Sequence, residues 1–443
     1  MAFPRFAAAA GLSVAGAALL PWASGAPVAW QLAATLGQSV LACFALAVLC
    51  LGARANEELV RTPAAWIFAL ALVLRLIAFQ GEPLLEDDHY RYLWDGHRTL
   101  TALDPYRLAP AAYFGDDGVA PMWQAVLNGI NHPEVPTIYG PLLQWLFALG
   151  QWLTPAKVGG VQAILLGVDL ATLALLLGAR VPLVCSVVYA LHPVILKEAI
   201  TSAHPDGLLG LLLLAAMLTW RSTRPGSSFA VGVLLALALA TKVAALLVLP
   251  LFMLRRSRGR RVHMAIGLAA GLLLMYGPFL ITGSGEWAGL QAFATTWRFN
   301  PLLFRPLDAL LPSVAARASA AACILVGLVA LLVRGRASNE LPAVDRLLLV
   351  LLLFSPVVNP WYWLWALAPA LALGHGVVPV AAAVGVLSYL NGTVLQQAGW
   401  ACGGAAFAVP VTITLLQLAA MVGVFVYMRM ARSSSSSRRR WRI

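Results

Sequence analysis

The chain has 443 residues, of which 61% are hydrophobic and 11% are charged, and its mean hydropathy is +0.82. This composition excludes a soluble globular protein and indicates an integral membrane protein. The formal net charge of +12 does not indicate nucleic-acid binding, because the sequence offers no folded polar domain to carry a basic surface.

Apolar runs long enough to cross a hydrocarbon core of about 30 Å recur along nearly the whole chain. They predict an all-α polytopic membrane protein with about 12 to 14 transmembrane helices. The first run is interpreted as an uncleaved helix, because a second apolar run follows at once. The predicted spans are 6–22, 28–52, 63–80, 158–178, 182–197, 205–220, 228–241, 243–254, 263–281, 313–333, 345–357, 361–375, 377–394 and 407–428.

Arginines predict the orientation, because short cytoplasmic loops of membrane proteins collect Lys and Arg. Alternate loops hold Arg54 and Arg61, Arg180, Arg221 and Arg224, the run at 255–261, Arg334, Arg336 and Arg346, and the basic tail. All of them fall on one side only if residues 139–155 lie in the interface or re-enter, as an amphipathic segment with two tryptophans can. A full crossing at 139–155 would instead invert every later loop.

The opposite, outer face then carries two long loops, at 81–157 and 282–312. The predicted organisation of the chain is an N-terminal transmembrane hairpin at 1–62, a transmembrane core at 63–375, C-terminal transmembrane helices at 376–430 and a basic cytoplasmic tail at 431–443.

The first outer loop opens with "GEPLLEDDHYRYLWDGH" at 81–97, which concentrates charge in an otherwise apolar chain. The absence of proline and the spacing of its aromatic residues predict a helix at 86–103 along the outer membrane surface. Asp88, Tyr92 and Asp95 would share one face of this helix, since they stand at i, i+4 and i+7.

The adjacent acids of this stretch allow two interpretations. Asp87 and Arg91 have the spacing of an i,i+4 ion pair. Neighbouring carboxylates beside a bilayer are costly unless solvated, paired or bound to a cation, so that one of them could have the raised pKa of a general base. Alternatively, Glu86, Asp87 and Asp88 simply favour the first turn of a helix.

Further along the loop, "NGINHPEVPTIYGPLLQW" carries His132 and Glu134 between prolines. Prolines at 133, 136 and 141 fix the path of this segment, as a loop that holds a substrate requires. An ordinary turn with a solvated His and Glu is the alternative.

Polar residues also interrupt the apolar runs nearest the outer face. "HPD" places His204 and Asp206 at the outer end of a span, where they would bind metal or phosphate, or where Asp206 would cap a helix. Lys242 lies in "ALATKVAALLVLP". A lysine at membrane depth marks a functional site by default, although this one could also snorkel to the headgroups.

The segment "NPWYWLWALAP" groups Asn359 with Trp361 and Tyr362. Its aromatic rings suit a membrane-interface belt and also the stacking of sugar rings. Two further charges, Arg75 and Asp169, lie inside predicted spans and require partners that the sequence does not identify.

Taken together, these motifs resemble multispanning glycosyltransferases of the GT-C class. The likeness is strongest to bacterial members related to polyprenyl-phosphate-mannose-dependent mannosyltransferases, and it runs from about 63 to 375. It is carried by E-D-D-H-Y-R-Y-L-W-D-G, D-P-Y at 104–106, N-H-P-E-V-P-T-I-Y-G-P at 131–141, H-P-D at 204–206, T-K at 241–242 and N-P-W-Y-W-L-W at 359–365.

The resemblance implies a GT-C-like fold whose large first outer loop is catalytic and carries interfacial helices. It implies that Asp87 or Asp88 is the catalytic base, without choosing between them. Relatives often show Tyr-Pro-Pro where this chain has Tyr139, Gly140 and Pro141, which suggests a looser turn here. The expected substrate-binding residues are His89, Tyr90, Arg91, Tyr92, Asp95, His132, Glu134, Tyr139, His204, Asp206, Lys242, Asn359, Trp361 and Tyr362.

By the same likeness, the donor is a polyprenyl-phosphate-linked sugar, with mannose the best candidate, and the acceptor is a cell-envelope glycan or glycolipid. An acceptor hydroxyl would attack the anomeric carbon, one carboxylate would take its proton, and Lys242, Arg91 or His204 would stabilise the leaving lipid phosphate. A divalent cation, Mg or Mn, is left open as a cofactor. The expected location is the bacterial inner membrane, with the site facing the periplasm or cell exterior and membrane lipid around it.

The main alternative is a lipid or sugar transporter or flippase without transferase activity. Intramembrane Arg75, Asp169 and Lys242 would suit a transport path. A noncatalytic membrane subunit is a third possibility. The sequence shows no internal repeat, and its polar groups gather at one predicted surface, which favours the glycosyltransferase.

Overall fold

The computed structural model describes residues 4–50, 59, 62–179, 181–282, 285–335, 341–400 and 407–434. These residues form an all-α protein, 75% helical and without strands, as the sequence predicts. Arg54, Arg61, Arg180 and the end of the basic tail, which support the predicted orientation, lie outside the described residues.

Among the described residues, three helices precede the charged stretch, namely α1 (Pro4–Trp22), α2 (Val28–Cys50) and α3 (Ala64–Ala78). The first long loop then contains α4 (Asp88–Ala102), α5 (Pro121–Asn128) and α6 (Pro141–Leu153). Helix α4 therefore begins two residues later than predicted, at the last of the three adjacent acids. It has one buried face, and its Tyr92 ring stacks on Phe147 of α6 at 4.7 Å.

The central part of the chain continues with α7 (Gly159–Gly178), α8 (Leu183–Ala190), a π-helical turn (Ile195–Thr201), α9 (Gly207–Trp220), α10 (Ser227–Thr241), a 3-10 turn (Val243–Val248), α11 (Leu249–Met253) and α12 (Arg258–Ile281). The second long loop contains α13 (Trp287–Thr296) and α14 (Phe304–Leu310).

The chain then forms α15 (Ser313–Gly335), α16 (Val344–Phe354), a 3-10 turn (Pro360–Trp363), α17 (Leu364–Ala372), α18 (Val377–Gly385), a 3-10 turn (Val386–Tyr389), α19 (Gly392–Gln397) and α20 (Val411–Ser434). The last helix ends inside the segment predicted as the tail.

Six helices among the described residues are long and apolar enough to cross a membrane: α1, α2, α7, α12, α15 and α20. Helix α8 and the π-helical turn form a pair bent by 57°, which makes a seventh if it counts as one span. Five shorter apolar helices lie at Ala64–Ala78, Gly207–Trp220, Ser227–Thr241, Val243–Met253 and Val377–Tyr389. The protein is thus a polytopic membrane protein, and the predicted total of about 12 spans requires the shorter helices to cross as well.

Helix α6 corresponds to the segment predicted to lie in the interface or re-enter. It has 13 residues, so that it is about 20 Å long, too short to cross a core of about 30 Å by itself. One face is buried through Leu143, Gln144 and Phe147, whereas Trp152 on the other face is 67% exposed. The length and two-faced pattern agree with a helix that lies against the bundle without crossing.

The two charges inside predicted spans are partners. Arg75 of α3 donates its Nε–H to Asp169 Oδ2 of α7 at 2.5 Å, and both side chains are at most 3% exposed. Arg75 also donates to the Ala190 carbonyl at 2.5 Å. A buried charge requires such a partner, because an unpaired one carries a large desolvation penalty. The pair ties α3 to α7 and α8, so both charges have the partners that the sequence did not identify.

Candidate functional site

A pocket with about 530 Å³ of empty volume, counting its open mouth, lies where distant parts of the chain meet. It takes residues from the start of α4, from the loop before α6, from the break after α10, from α13 and from the 3-10 turn before α17. Its lining comprises Asp88, Arg91, Asn131, His132, Val135, Pro136, Thr137, Ile138, Tyr139, Lys242, Phe293, Trp297, Asn359, Trp361 and Tyr362. Aromatic walls with a few converging polar groups are typical of a small-molecule site.

Half of the residues proposed from the sequence line this pocket: Asp88, Arg91, His132, Tyr139, Lys242, Asn359, Trp361 and Tyr362. Two others, His204 and Asp206, lie directly behind the wall and contact lining residues, as described below. The remaining ones lie beside the pocket or in the packing of α4. The predicted convergence of the segments from residues 88 to 362 therefore occurs.

The two adjacent aspartates have different surroundings. The Asn131 amide donates to both, at 2.5 Å to Asp87 Oδ1 and 3.0 Å to Asp88 Oδ1. Asp87 is exposed, whereas Asp88 is partly buried and lines the pocket. Burial raises the pKa of Asp88, against the lowering effect of the Asn131 donor, and the neighbouring Asp87 charge raises it further. Burial also raises the pKa of Asp87, which the Asn131 donor again opposes.

Arg91 does not pair with Asp87, so this prediction is wrong. Its two terminal N–H groups donate to the His132 carbonyl at 3.0 Å and the Val135 carbonyl at 2.9 Å. Arg91 is only 8% exposed, and two of its N–H groups are already hydrogen-bonded to the loop before α6. Its role in the structure is thus to hold the loop against α4, since a guanidinium can satisfy several acceptors in fixed directions.

Lys242 faces the pocket because α10 stops before it. The backbone at Lys242 is extended, with φ −147° and ψ 133°, between α10 and the following 3-10 turn. Its ammonium group lies 3.1 Å from Asp206 Oδ1 and its side chain is 12% exposed, so it is paired rather than snorkelling. The rings of Tyr139, Tyr362 and Trp365 lie 4.9 to 5.5 Å from the ammonium group, within cation–π range.

Asp206 stands at the N-cap position of α9, but its side chain makes no capping hydrogen bond. It accepts instead from the Trp365 indole at 2.5 Å and pairs with Lys242. Its Oδ2 has no hydrogen-bond partner among the described residues. The capping alternative is therefore wrong, and the acid holds the lysine in place behind the pocket.

His204 lies under the pocket wall and is fully buried. Its ring stacks on Trp361 at 3.7 Å with an interplanar angle of 11°, and its Nδ1 is 2.9 Å from the Tyr92 hydroxyl. His204 Nε2 lies 3.5 Å from Glu198 Oε2. Since Trp361 separates it from the pocket, His204 supports the wall and does not reach a ligand there.

A charged cluster that the sequence motifs did not indicate lies next to His204. Lys197 pairs with Glu198 at 3.3 Å, both are 1% exposed, and the Tyr389 hydroxyl contacts both. Glu86 lies close enough to interact with the same lysine and tyrosine. Lys197 and Glu198 interrupt the apolar run "VILKEAIT", which is the signal that could have identified them, because charges at membrane depth are rare.

Asn131 and Trp297 were also left out of the proposed site, although both line the pocket. Asn131 is the first residue of the N-H-P-E segment, and only the folded loop shows that its amide joins the two aspartates. Trp297 follows α13, and its ring lies 4.7 Å from that of His132. No sequence pattern assigns either residue, because both contacts join parts of the chain that are far apart.

The other proposed residues serve the framework or the pocket mouth. Tyr90 packs on Gly129, and burial lowers the pKa of His89 to about 4. Asp95 is 1% exposed and accepts from Gln144, and burial raises its pKa to about 6. Glu134 is 65% exposed and lies 3.5 Å from His132. Of these residues, only Glu134 is placed where a ligand at the mouth would meet it.

Gly140, in the turn before α6, lies directly against the end of α10. A Cβ at this position would lie 2.2 Å from the Ala240 carbonyl oxygen, a distance that real Cβ atoms do not adopt. The glycine therefore lets the turn pack directly against the end of α10, next to Lys242. A proline here would carry a Cβ, so the glycine permits this close contact, while the prediction of a looser turn stays a prediction.

The surroundings of the two aspartates bear on the divalent cation that the sequence left open as a cofactor. No group of three or more His, Cys, Asp or Glu side chains that could hold a metal ion occurs in the part of the chain that the structure describes. The Asn131 N–H₂ donor sits against both carboxylates, at the place where a cation bridging them would lie. A cation in this position would have to displace the Asn131 amide, and a divalent cofactor stays a prediction.

Comparison with known proteins agrees with the motifs of this site. No curated protein and no solved structure matches the chain. A family model does match residues 6–258, which include Asp88, the loop to α6, Asp206 and Lys242, and its description is MptA_B family, alpha-(1->6)-mannopyranosyltransferase, N-terminal domain. The match spans more than half of the chain, which therefore belongs to this family of GT-C mannosyltransferases.

Proposed function

We propose that the protein transfers mannose from a polyprenyl-phosphate donor to a cell-envelope glycan or glycolipid, with Asp88 as the general base. Family membership supports mannosyl transfer. The assignment of the donor and of the general base is supported by one observation, that Asp88 and Lys242 line the same pocket. An acid that accepts a proton and a cation that meets a leaving phosphate are the two groups that this reaction requires.

Asp88 is preferred to Asp87 because of its position. Asp88 lines the pocket, whereas Asp87 is exposed and does not. Both accept from Asn131, so hydrogen bonding alone does not distinguish them. The raised pKa of Asp88 suits proton abstraction, because a carboxylate whose pKa is closer to neutrality is a stronger base.

Lys242 is the best candidate for the donor phosphate. Its side chain is held by Asp206 and by aromatic rings, so that its position is fixed before a ligand arrives. Arg91 is less suited, because it already donates to two loop carbonyls. His204 is shielded from the pocket by Trp361. This favours Lys242 among the three cations that the sequence proposed.

The reaction follows from these positions as a single displacement. The acceptor hydroxyl oxygen forms a bond to C1 of the mannose, Asp88 takes the hydroxyl proton, and the C1–O bond to the lipid phosphate breaks with its electron pair on the phosphate. Lys242 compensates the charge that develops on the departing oxygen. A single displacement inverts the configuration at C1, so that an α-linked product requires a β-linked donor.

Apolar surface for the polyprenyl chain lies next to the pocket. Trp361 and Phe293 are part of the pocket wall. A second, more open cavity lies between α4 and α6, with about 1130 Å³ of empty volume counting its open mouth, and is lined by Leu100, Leu103, Trp145, Leu149 and Trp152 among others. Gln144 bridges the two regions, because its side chain bonds Thr99 of the second cavity and Thr137 of the first. We assign the lipid chain of the donor to this second cavity.

The proposal is tested with purified protein in detergent or nanodiscs, given radiolabelled polyprenyl-phosphate-β-mannose and a short α-mannoside acceptor. We expect a labelled, α-linked product, and none from the α-anomer of the donor. A sealed-vesicle assay run in parallel measures movement of the donor or the free sugar across the membrane. Transport without any mannosyl transfer would overturn the proposal in favour of the transporter, and an outward-facing site predicts transfer only to acceptor on the outer side.

A further inference from the structure

The pocket has an inner end and an outer rim with different exposure. At the inner end, Lys242 is 12% and Trp361 6% exposed. At the rim, the His132 side chain is 47% exposed and its ring lies 4.7 Å from the partly exposed Trp297. Both rim residues line the pocket. The rim is thus an aromatic surface open to solvent, directly outside the buried end.

The rim is built from two elements that are fixed to each other. Arg317 donates to the Ala294 carbonyl at 2.5 Å and to the Trp297 carbonyl at 3.3 Å, which holds the end of α13. Gly289 of the same helix packs on the opposite loop, where a Cβ would lie 2.5 Å from the Pro136 and Thr137 carbonyl oxygens. Any larger residue at Gly289 would push α13 away from the loop.

The loop residue that faces Trp297 also has an uncommon backbone. His132 has φ +47°, a region that residues other than glycine rarely adopt. Its carbonyl is held by the buried Arg91 at 3.0 Å. Strained residues persist where the surrounding structure enforces them, and they concentrate at ligand sites. The strain here presents the His132 ring to the rim.

We propose that His132 and Trp297 form the acceptor subsite, a platform on which the terminal sugar ring of a neutral glycan stacks. This inference rests on the proposed function and names the part of the site that binds the second substrate. Aromatic faces bind the apolar face of a sugar ring, and the rim is the end that a glycan reaches from water. Asp87, Asp88 and Glu134 lie at or beside the mouth, so that an anionic acceptor is disfavoured by like charge.

The two ends of the pocket are assigned to different substrates. The anionic donor takes the buried end beside Lys242, the acceptor takes the rim, and Asp88 lines the same pocket. A change at Trp297 should therefore alter acceptor binding and leave donor binding unchanged. Loss of one well-placed stacking contact weakens binding roughly tenfold.

The test compares Trp297→Ala with Trp297→Phe, and uses Trp287→Ala as the matched control. Trp287 is the first residue of α13, the helix that Trp297 follows; it is 75% exposed and does not line the pocket. Initial rates are measured with the acceptor mannoside and the donor varied in turn. We expect Trp297→Ala to raise the acceptor KM roughly tenfold with the donor KM within about twofold, Trp297→Phe to restore much of the affinity, and Trp287→Ala to match the wild type.

Binding measured without donor separates this inference from the proposed function. Saturation-transfer NMR detects the acceptor mannoside on the wild-type protein, and we expect the signal to be lost in Trp297→Ala and kept in Trp287→Ala. If that pattern appears while the wild type transfers no mannose, the subsite stands and the proposed reaction fails. An unchanged acceptor KM in Trp297→Ala, or an equal rise in the donor KM, would overturn the subsite.

Discussion

The choice of Asp88 as the base gives the sharpest test of the mechanism, because the chain supplies its own control. Asp88→Asn and Asp87→Asn are isosteric changes at adjacent positions that share the Asn131 donor. An asparagine can still accept from Asn131 through its carbonyl oxygen. The two variants therefore differ mainly in which carboxylate is lost, the one that lines the pocket or the exposed one.

The expected magnitudes differ widely. General-base catalysis contributes about 10²- to 10⁴-fold, which corresponds to about 3 to 5 kcal/mol of transition-state stabilisation. Asp88→Asn should lose this factor in kcat, with the donor KM little changed. In Asp87→Asn, kcat should fall by less than about tenfold, because Asp87 affects catalysis only through the electrostatic influence of its charge on Asp88.

The pH profile adds a second measurement. Only the ionised carboxylate accepts a proton, so that kcat/KM of the wild type falls as pH drops through the pKa of Asp88. Burial raises that pKa, and the acidic limb should therefore lie above the range of an ordinary aspartate. Removal of the Asp87 charge lowers the pKa of Asp88, so that Asp87→Asn should shift the limb to lower pH.

Initial rates of labelled mannose transfer by the purified variants, at several pH values, provide the assay. The reasoning is refuted if Asp88→Asn keeps more than about a tenth of the wild-type rate, or if Asp87→Asn is the more damaged of the two. A shift of the acidic limb to higher pH in Asp87→Asn would contradict the electrostatic argument even if the rates agreed. Thermal unfolding of both variants checks that they are folded.

Four variants at three positions, and one treatment, test other parts of the structure. In the transfer assay, Lys242→Met should lower kcat about 10²-fold or more, whereas Lys242→Arg should remain partly active. An equal loss of kcat in both variants would show that a positive charge at this position is not sufficient for catalysis. Lys197→Met leaves the buried Glu198 without its cation and should cost about 3 to 5 kcal/mol of stability, seen as early thermal unfolding, and an unshifted transition would count against the cluster. The buried Asp95 has a pKa near 6, so that the folded state loses stability as pH rises from about 4 to 6; Asp95→Asn should therefore unfold a few degrees above the wild type at pH 7.5 and together with it below pH 4. Chelation by EDTA should leave the transfer rate unchanged, and a loss that Mg²⁺ restores would show that a cation completes the site.

The sequence predicts the helices well because membrane spans follow from local apolar composition alone. The predicted spans at 158–178 and 313–333 match Gly159–Gly178 and Ser313–Gly335 closely. The helix at 86–103 was also predictable, since its start follows a proline and its interior lacks one. A span with a break, such as the bent pair at 183–201, is less predictable, because the bend depends on what packs against it.

The site was predictable in its residue types and only partly in its contacts. Asp88, Lys242 and Trp361 were identified because charged and aromatic residues are conspicuous in an apolar sequence. Their partners could not be identified in this way, because the pairing of Lys242 with Asp206 depends on how distant helices pack. The same limitation explains why Asn131 was missed and why Arg91 was assigned to the wrong partner.

The start of α4 explains why three adjacent acids serve different purposes. Glu86 lies near the buried Lys197, Asp87 is exposed, and Asp88 lines the pocket. Successive side chains can diverge in this way because the backbone before the helix is not regular: Leu85 has φ +61°, and Asp87 has φ −121° with ψ 2°. In a continuous helix, neighbouring residues are instead turned by about 100° on one cylinder. The point at which the helix begins, rather than the acidic motif itself, therefore determines which carboxylate faces the pocket.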